Sequence, residues 1–417
     1  GIYMVYDIIV IGAGPAGMTA AIKAKESCKD AKILVIDRNK KPGKKLYATG
    51  NGKCNLANTK LDLSCYHSDN EFFPYQLVST EAFREVTEFF LDLGVTVYED
   101  NGYIYPASLQ ASTIVWALTD RLKMQKIDVH TSKEVKAVTE DDGRYIVHTE
   151  LNDYYAANVI VSPGGAAAPK LGGSEKVYDI LKPLGVSIVS PHPALCRLKS
   201  RDVPDALAGV RAKANVSLMC DGNLYGGESG EVQFASGWIS GIAVFNLSIQ
   251  CIDLLNDGKK PYIEVELVPD MKEEDLAGYM KTFARKNGAR RPIAMLNGLV
   301  NEKIACEILE RLGINCVSSA EFSDDDISRI ANMLKHMEFA VDGHGSYEDS
   351  QAASGGVDTR QLRADTLELG CHKGLYVAGE YADVTGKCGG YNIMWAVISG
   401  MRAGTAVGKR MKNDKNK

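Results

Sequence analysis

A glycine-rich turn near the start of the sequence has the spacing that dinucleotide binding requires. Gly12, Gly14 and Gly17 occur in the run GAGPAG. In such a turn the first glycine permits a tight bend, the second lets the backbone approach a pyrophosphate, and the third allows a helix to pack closely on a strand. The helix that follows presents unpaired N–H groups and the positive end of its dipole to phosphates. We therefore predict a pyrophosphate site that includes these glycines and Ala16.

A carboxylate follows at the spacing expected for the adenosine end of a dinucleotide. Asp37 lies 20 residues after Gly17, at the end of the second predicted strand. A carboxylate at that place accepts hydrogen bonds from ribose hydroxyls and repels a 2′-phosphate. The sequence therefore favours FAD or NAD over NADP, with Asp37 and its neighbour Arg38 predicted to contact the cofactor.

A loop dense in turn residues and polar donors follows at 43–55. Ligands of open α/β sheets bind outside the carboxyl ends of the strands, where a loop at this place in the chain is expected to lie. From the residues alone, a solvated lysine-rich loop is equally consistent with the composition. The predicted cofactor contacts in this loop are Lys45, Thr49, Gly50, Asn51, Cys54 and Asn55.

A third polar segment follows a predicted strand at 374–378 and enters a helix after about residue 389. Glu380, at the strand end, is expected to hold a ribityl hydroxyl group. Backbone N–H groups at 390–392 are expected to face the N1–C2=O edge of a flavin, where they would stabilise the negative charge that develops on reduction. An ordinary strand-to-helix connection is the alternative. The predicted contacts here are Gly379, Glu380, Asp383, Gly389, Gly390, Tyr391 and Asn392.

The elements that must position these segments begin with a β–turn–α–β pattern, which predicts a parallel sheet with a right-handed crossover. Buried strands are predicted at 6–11, 32–36, 158–162 and 374–378, and amphipathic helices at 81–93 and 111–126. Because buried strands of the same kind stand at both ends of the chain, we predict one α/β domain that is split by an insertion.

The composition changes after residue 190, where Pro191 and Pro193 are expected to break the chain. The tail Lys409–Lys417 is expected to be a solvated basic end. The predicted divisions are 1–190 and 341–417 for the split α/β domain, 191–270 for an inserted β-rich domain and 271–340 for a helical cap domain.

The composition is that of an ordinary globular protein of 417 residues, 45% hydrophobic and 24% charged. The net charge of −5, from 48 basic and 53 acidic residues, argues against nucleic acid or an anionic membrane as the main partner. No run of 18 uncharged apolar residues predicts a membrane span, and no signal-peptide pattern precedes the first strand. Ten cysteines without a CxxC or CxxH cluster are expected to stay reduced in a cytoplasmic setting, without a metal site.

Five segments spread over nearly the whole chain match motifs of one known family. They are GAGPAG, ATGNGKCNLAN at 48–58, VSPGGAAAPKLGG at 161–173, GEVQFASGWISGIAV at 230–244 and GLYVAGEYADVTGKCGGYNIMWAVISGMRAG at 374–404. With these motifs the chain resembles the BaiN/YhiN-like flavoproteins, often described as aminoacetone-oxidase-like. The resemblance implies an α/β fold with a discontinuous Rossmann-type FAD-binding domain, an inserted β-barrel-like domain and a small helical domain. Ala235 and Ser236 depart from the family, in which a Thr-His pair is common there.

The same resemblance implies an extended FAD, with its adenosine near Asp37 and its isoalloxazine ring near 51–55 and 389–392. It adds Val135, which would border the adenine, and Gly164 to the predicted contacts. No second GxGxxG follows a strand in the sequence. A separate nicotinamide domain is therefore not expected, and NADH or NADPH would bind transiently at the flavin.

Catalytic side chains are the least defined part of the predicted site. The candidates are Tyr391, Lys53 and Cys54, with His192 as a further alternative, although packing or solvation explains each of them more simply. A redox-active pair of Cys54 and Cys388 is a further hypothesis, but their spacing is far from the short CxxxxC type.

The predicted function is FAD-dependent hydride transfer, through flavin N5, to or from a small organic substrate in a cavity capped by residues from about 190–340. An NAD(P)H-linked reduction of an activated C=C bond, such as a steroid- or bile-acid-type enone, is favoured. Hydride would reach the β-carbon, and Tyr391 or a water would protonate the α-carbon. The alternatives are an aminoacetone-type amine oxidase that uses O₂ and a flavin-binding regulatory or RNA-associated protein without turnover. The sequence leaves the oligomeric state open.

Overall fold

The computed structural model describes residues 4–417, and the chain divides into two compact units. The first unit comprises the residues up to Pro193 together with Gln351–Lys417, and the second is Ala194–Ser350. The predicted discontinuous α/β domain is therefore confirmed. The further subdivision of the insertion at residue 270 stays a prediction.

The regular elements of the described chain are the following. The helices are α1 (Pro15–Ser27), α2 (Phe73–Leu77), α3 (Ala82–Asp92), α4 (Ala111–Met124), α5 (Ile242–Asn256), α6 (Glu273–Lys286), α7 (Pro292–Leu296), α8 (Glu302–Leu312), α9 (Asp324–Lys335) and α10 (Tyr391–Lys415). The strands are β1 (Met4–Ile11), β2 (Ile33–Ile36), β3 (Ala57–Asn58), β4 (Tyr66–His67), β5 (Val97–Asp100), β6 (Tyr103–Pro106), β7 (Asp128–His130), β8 (Val135–Asp141), β9 (Arg144–Thr149), β10 (Asp153–Val161), β11 (Ile188–Ala194), β12 (Leu198–Lys199), β13 (Arg211–Cys220), β14 (Asn223–Ala235), β15 (Trp238–Ser240), β16 (Tyr262–Leu267), β17 (Met337–Ala340), β18 (Gly343–His344), β19 (Ala352–Val357), β20 (Leu375–Val377) and β21 (Thr385–Gly386).

A mostly parallel sheet forms the centre of the first unit. Its strand order is β7-β2-β1-β10-β9-β8, and β20 also pairs with β10. The β7–β2–β1–β10 and β10–β20 pairs are parallel, whereas β9 pairs antiparallel with both β10 and β8. The central strands are runs of buried β-branched and leucine residues, as expected for strands covered on both faces. The carboxyl ends of β1, β2, β10 and β20 consequently meet at one edge of the sheet.

Helices α1 and α10 pack against each other with unusually close backbones. Gly400, Gly404 and Gly408 recur every four residues of α10 and therefore share one face. A Cβ atom placed on any of the three would lie between 2.2 and 2.6 Å from a backbone carbonyl oxygen of α1. Only glycine permits this approach, so the relative position of the two helices is fixed by backbone contact.

The second unit contains an antiparallel sheet with the order β17-β16-β13-β14-β15-β12-β18. Its apolar residues form a single core with side chains from α5–α9. Helix α5 was not predicted from the sequence, because its residues are buried around most of its circumference and show no clear 3.6-residue period.

One expectation about the chain is wrong, and a second one is incomplete. Pro191 and Pro193 do not break it, since both lie in β11, which pairs only with β19 in a two-stranded sheet among the described residues. A strand with one unpaired edge tolerates proline. The basic segment at 409–417 is mostly exposed, as predicted, but it is also largely helical as the end of α10. Met411 is buried there, and Lys415 Nζ lies 3.0 Å from an Asp7 carboxylate oxygen.

Candidate functional site

The glycine-rich turn joins β1 to α1 and leaves one open position. A Cβ atom on Gly12, whose φ is +99°, would lie 2.0 Å from the Ser162 carbonyl oxygen, and one on Gly17 would lie 1.8 Å from the Gly12 carbonyl oxygen. These two glycines are required by the fold itself. A Cβ atom on Gly14, in contrast, would meet no protein atom within 4 Å. Gly14 is also the N-cap of α1, which begins with Pro15 and has no acidic residue in its first turn.

Asp37 is held at the end of β2 by backbone donors. The Ala13 and Asn39 N–H groups each donate to one of its carboxylate oxygens, both at 3.1 Å. Burial raises the pKa of this carboxyl above its ordinary value, although the two N–H groups act in the opposite direction. The carboxylate is thus preoriented beside the turn, with remaining lone pairs on each oxygen that can accept further hydrogen bonds.

Glu380 follows β20 and is tied to the first loop of the site. Its Oε2 lies 3.2 Å from Lys45 Nζ, and its Oε1 accepts a hydrogen bond from the Ala353 N–H at 2.8 Å. The preceding Gly379 is bound on both sides to α10, because its N–H donates to the Ser399 hydroxyl and its carbonyl accepts from the Trp395 indole, both at 2.9 Å. Helix α10 therefore positions the end of β20.

The start of α10 is fixed by a reciprocal side-chain clamp. Asn392 Oδ1 accepts from the Gly386 N–H at 2.8 Å, and Asn392 Nδ2 donates to the Gly386 carbonyl at 2.9 Å. Gly390, the N-cap, has a φ of +94°, and the first turn of the helix carries no acidic residue. A second helix dipole thus begins here, and no carboxylate in the first turn neutralises it.

One cleft in the first unit brings these segments together. It has about 1030 Å³ of empty space, including its opening to solvent. Its lining combines the turn before α1, the loop after β2, the segment after β10 and the first turns of α10. The predicted contacts in this lining are Gly12, Gly14, Ala16, Asp37, Lys45, Thr49, Gly164, Gly379, Glu380 and Asn392.

A smaller pocket shares Asp37 and Gly12 with this cleft. Arg38 and Val135 both line it, as do Lys133 and Lys176. The Arg38 guanidinium donates to the Gly172 carbonyl at 2.9 Å, which keeps this side chain at the pocket. Arg38 and Val135, which were predicted to contact the cofactor, therefore line one pocket together with Asp37.

Within residues 4–417, the other predicted cofactor contacts line neither the cleft nor the smaller pocket. They are Gly17, Gly50, Asn51, Cys54, Asn55, Asp383, Gly389, Gly390 and Tyr391. Asn55 is buried beside Gly390, and its side-chain oxygen has no hydrogen-bond partner among the described atoms. Their contact with a bound cofactor stays a prediction.

The geometry argues against Tyr391 as a proton donor. Its side chain is only 4% exposed, and its hydroxyl donates to the Lys60 carbonyl at 2.5 Å. Burial raises the pKa of this phenol far above its ordinary value. The sequence could not reveal this role, because the partner of the hydroxyl comes from a distant loop.

The two other catalytic candidates have no support in the geometry. Cys54 is fully buried, and burial raises the pKa of its thiol to about 11, so the reactive thiolate is disfavoured at neutral pH. Lys53 is exposed and is not among the described residues that line the cleft. Cys388 donates to Gln351 Oε1 at 3.6 Å, and His192 lies in β11 with its carbonyl 3.4 Å from the Ser354 hydroxyl.

Several residues of the site were missed. The cleft is also lined by Gly43, Lys44, Leu46, Leu171, Gly172, Gly173, Gln351, Ala352, Ile393 and Ala396. Asn58, which binds the Gly389 carbonyl, was not singled out although it ends the motif ATGNGKCNLAN. The local signal was present there, but its long-range partner was not visible in the sequence.

The residues present fit FAD. The open face at Gly14 leaves space where a diphosphate can approach the N–H groups of α1. Asp37 supplies a carboxylate for ribose hydroxyls at one end of the cleft, and the dipole of α10 supplies positive potential in another part of it.

Within the described chain, no helix is long and apolar enough to cross a membrane, and no group of metal-ligating side chains is found.

The chain is similar to a known protein family and to named relatives over nearly its whole length. The family described as "HI0933-like protein Rossmann domain" matches residues 6–406. The chain is 32% identical to the 3-dehydro-bile acid delta(4,6)-reductase of Clostridium scindens, over 96% of this chain and 98% of that protein. It is 27% identical to the ribosomal RNA dihydrouridine synthase of Escherichia coli, over 94% and 95%. A solved 3-ketosteroid delta1-dehydrogenase from Sterolibacterium denitrificans is 12% identical, with a TM-score of 0.49 over 97% of this chain and 100% of that one.

The fold and the cleft define a Rossmann-type FAD-binding oxidoreductase. Within that class the chain belongs to the HI0933-like family, because the family match covers almost its entire length. The resemblance inferred from the five motifs is thereby confirmed.

Proposed function

We propose that the protein is an NAD(P)H-linked, FAD-dependent reductase of a C=C bond conjugated to a carbonyl, acting on a steroid- or bile-acid-type enone. The observation that carries the proposal is the full-length similarity to a 3-dehydro-bile acid delta(4,6)-reductase, at 32% identity. The cleft adds support, since two helix N-termini and the Asp37 carboxylate contribute to one cavity. The ribosomal RNA dihydrouridine synthases point to the same bond type, because dihydrouridine is uridine with its ring C=C bond reduced.

In this proposal the chain binds and orients the cofactor. The N–H groups at the start of α1 hold the diphosphate, and Asp37 accepts from a ribose hydroxyl. Bound FAD supplies hydride transfer at N5. The N–H groups at the start of α10 stabilise negative charge on the reduced ring.

A water supplies the proton for the α-carbon in this proposal. The Tyr391 hydroxyl is bound to the Lys60 carbonyl, and the burial that raises the pKa of this phenol holds its proton more tightly. The conjugated carbonyl of the substrate delocalises the charge that develops there, so a solvent proton suffices at neutral pH.

Anaerobic stopped-flow spectroscopy tests the proposal. NADH or NADPH should bleach the oxidised flavin within seconds, and a 3-keto-4-ene steroid should then restore its absorbance with loss of the enone chromophore. A primary amine such as aminoacetone should leave the flavin oxidised. Bleaching by the amine, followed by peroxide formation on admission of O₂, would instead establish an oxidase.

A uracil base in RNA is a second candidate substrate, and one charged segment favours it. Residues 38–60 contain no acidic residue, in contrast to the net charge of −5 of the whole chain. Their basic residues are Arg38, Lys40, Lys41, Lys44, Lys45, Lys53 and Lys60. Of these, Lys40, Lys41, Lys44, Lys53 and Lys60 are exposed, and Lys44 lines the cleft. Such a segment attracts phosphates, and its affinity for RNA would decrease steeply with salt.

Binding of a ribosomal RNA fragment at two salt concentrations distinguishes the candidates. If RNA is the substrate, the double variant Lys40→Glu/Lys41→Glu should weaken binding at least about tenfold. The matched variant Lys409→Glu/Lys412→Glu, on α10, should bind as the unmodified protein does. Salt-independent weak binding, together with unchanged uridine after incubation with NAD(P)H, would exclude RNA.

A further inference from the structure

Asn58 connects the end of β3 to the loop that precedes α10. Its side chain is 6% exposed, and both of its polar atoms are bonded. Nδ2 donates to the Gly389 carbonyl at 3.0 Å, and Oδ1 accepts from the Lys60 N–H at 2.9 Å. The second bond fixes which end of the amide faces Gly389, because only an oxygen can accept from Lys60.

The peptide between Gly389 and Gly390 has little intrinsic preference for one orientation. The two glycines have φ values of +116° and +94°. Glycine adopts positive and negative φ with similar ease, so this peptide can rotate between two orientations at low cost. Because a trans peptide is planar, its carbonyl and its N–H point in opposite directions. A bond that holds the Gly389 carbonyl therefore also sets the direction of the Gly390 N–H.

We propose that Asn58 is a positioning residue that sets the reduction potential of the flavin by selecting the orientation of the Gly389–Gly390 peptide. The Gly390 N–H stands at the positive end of the α10 dipole, where a fixed donor stabilises negative charge. Asn58 acts through this N–H and does not need to touch the cofactor. The inference rests on one part of the proposed function, namely that the flavin ring lies at the start of α10.

The variant Asn58→Asp separates the two bonds of the side chain. A carboxylate of the same shape still accepts from the Lys60 N–H, but it cannot donate to the Gly389 carbonyl, and it repels the carbonyl oxygen. The peptide should therefore leave its orientation. Asn58→Ala removes both bonds without adding charge and serves as the second variant. Asn223→Asp, at the exposed first residue of β14 in the second unit, is the matched control for the chemical exchange.

The readouts are the affinity for sulfite and the flavin reduction potential, both measured with saturating FAD. Sulfite adds reversibly to oxidised flavin and leaves the ring negatively charged, so its affinity reports the stabilisation of that charge without any substrate. In Asn58→Asp, sulfite affinity should decrease at least about tenfold, and the potential should become more negative by about 30 mV for the two-electron couple. Asn58→Ala should shift both quantities in the same direction, and the Asn223→Asp control should shift neither.

The outcomes separate this inference from the proposed function. Unchanged sulfite affinity and potential in both Asn58 variants, with FAD bound, would overturn the positioning role alone. Should Asn58→Asp fail to fold, the result for Asn58→Ala decides. A shifted potential in a protein that does not reduce an enone would leave the positioning role intact and refute the proposed substrate.

Discussion

The N-termini of the two helices that begin at the cleft, α1 and α10, are held in place in different ways. At the start of α1, Gly14 has ordinary extended angles and no protein atom stands where its side chain would be. At the start of α10, Gly390 has a positive φ, and a Cβ atom would lie 2.5 Å from the Ala57 carbonyl oxygen. The first terminus is formed by a short local turn, whereas the second is held by residues more than 300 positions away, such as Asn58. A side chain at Gly14 should therefore impair cofactor binding, whereas a side chain at Gly390 should destabilise the fold.

The strongest test of this contrast is Gly14→Val. Valine can adopt the extended angles of Gly14, and a Cβ atom there meets no protein atom within 4 Å, so the apoprotein should fold normally. Its side chain should fill the space that the diphosphate needs and weaken FAD binding at least about 100-fold, or roughly 2.7 kcal/mol. Flavin absorbance of the purified protein and a thermal melt of the apoprotein measure the two effects.

A matched glycine in the second unit controls for the exchange itself. A Cβ atom on Gly278, in α6, would likewise meet no protein atom within 4 Å, but this glycine is remote from the cleft in sequence. Gly278→Val should retain FAD. A Gly14→Val protein that is purified yellow would show that the diphosphate lies elsewhere.

At the other helix the expected effect is on the fold. Gly390→Ala should lower the free energy of unfolding by about 2 kcal/mol more than Gly94→Ala does, since alanine would overlap the Ala57 carbonyl oxygen. Gly94 has a similar φ of +89° and open space around it, so its variant reports the conformational cost alone. Chemical denaturation of both variants gives the difference. Equal losses would mean that the loop before α10 adapts freely.

Substitution of Asp37 should have a smaller effect on FAD binding, and Asp37 should also make the stability of the apoprotein depend on pH. Asp37→Asn should weaken FAD binding about tenfold, because an amide replaces a charged acceptor for the ribose. Since burial raises the pKa of this carboxyl in the folded state, the folded protein retains the proton to higher pH than the unfolded chain. The wild-type apoprotein should therefore lose stability relative to Asp37→Asn as the pH rises from about 4 through the raised pKa.

Apoprotein denaturation at several pH values between 4 and 7 measures this difference. Asp142→Asn, at an exposed turn, is the control and should show no such trend. A stability difference that stays constant over this range would contradict the assigned cause.

The smallest effect is expected from the thiols. The double variant Cys54→Ser/Cys388→Ser should keep at least about half of the rate of flavin reduction by NAD(P)H, because burial raises the pKa of the Cys54 thiol to about 11 and keeps it protonated. Its unfolding free energy should decrease by about 1–2 kcal/mol, since a buried hydroxyl replaces a thiol. Loss of reduction with FAD still bound would restore the hypothesis of a redox pair.

The same contrast explains how much the sequence revealed. Two parts of the site were predictable because their main contacts lie within one β–α–β unit: Gly17 packs on the Gly12 carbonyl, and Asp37 accepts from the Ala13 N–H. The end of β1 at Ile11 was predictable for the same reason. The contact between Gly12 and the Ser162 carbonyl, in contrast, could not be inferred from the local sequence. The role of Tyr391 was not predictable either, because its hydroxyl binds a carbonyl in a loop more than 300 residues earlier.

Burial also hid part of the fold from sequence reasoning. Helix α5 is apolar on nearly every side, so no polar face marked it as a helix. Pro191 and Pro193 suggested a break, yet a two-stranded sheet leaves one edge of β11 unpaired and accepts them. In each case the missing information was which surface a neighbouring element covers.

The glycine stripe of α10 has a consequence for biosynthesis. The face of α1 that contacts Gly400, Gly404 and Gly408 is made early, but its partner leaves the ribosome only after the whole segment Ala194–Ser350. That segment is continuous and has its own core, so it can fold before α10 is available to pack against α1. Cofactor loading must then follow translation of α10, and a nascent chain stalled before Tyr391 should emerge with its second unit folded and its first unit a target for chaperones.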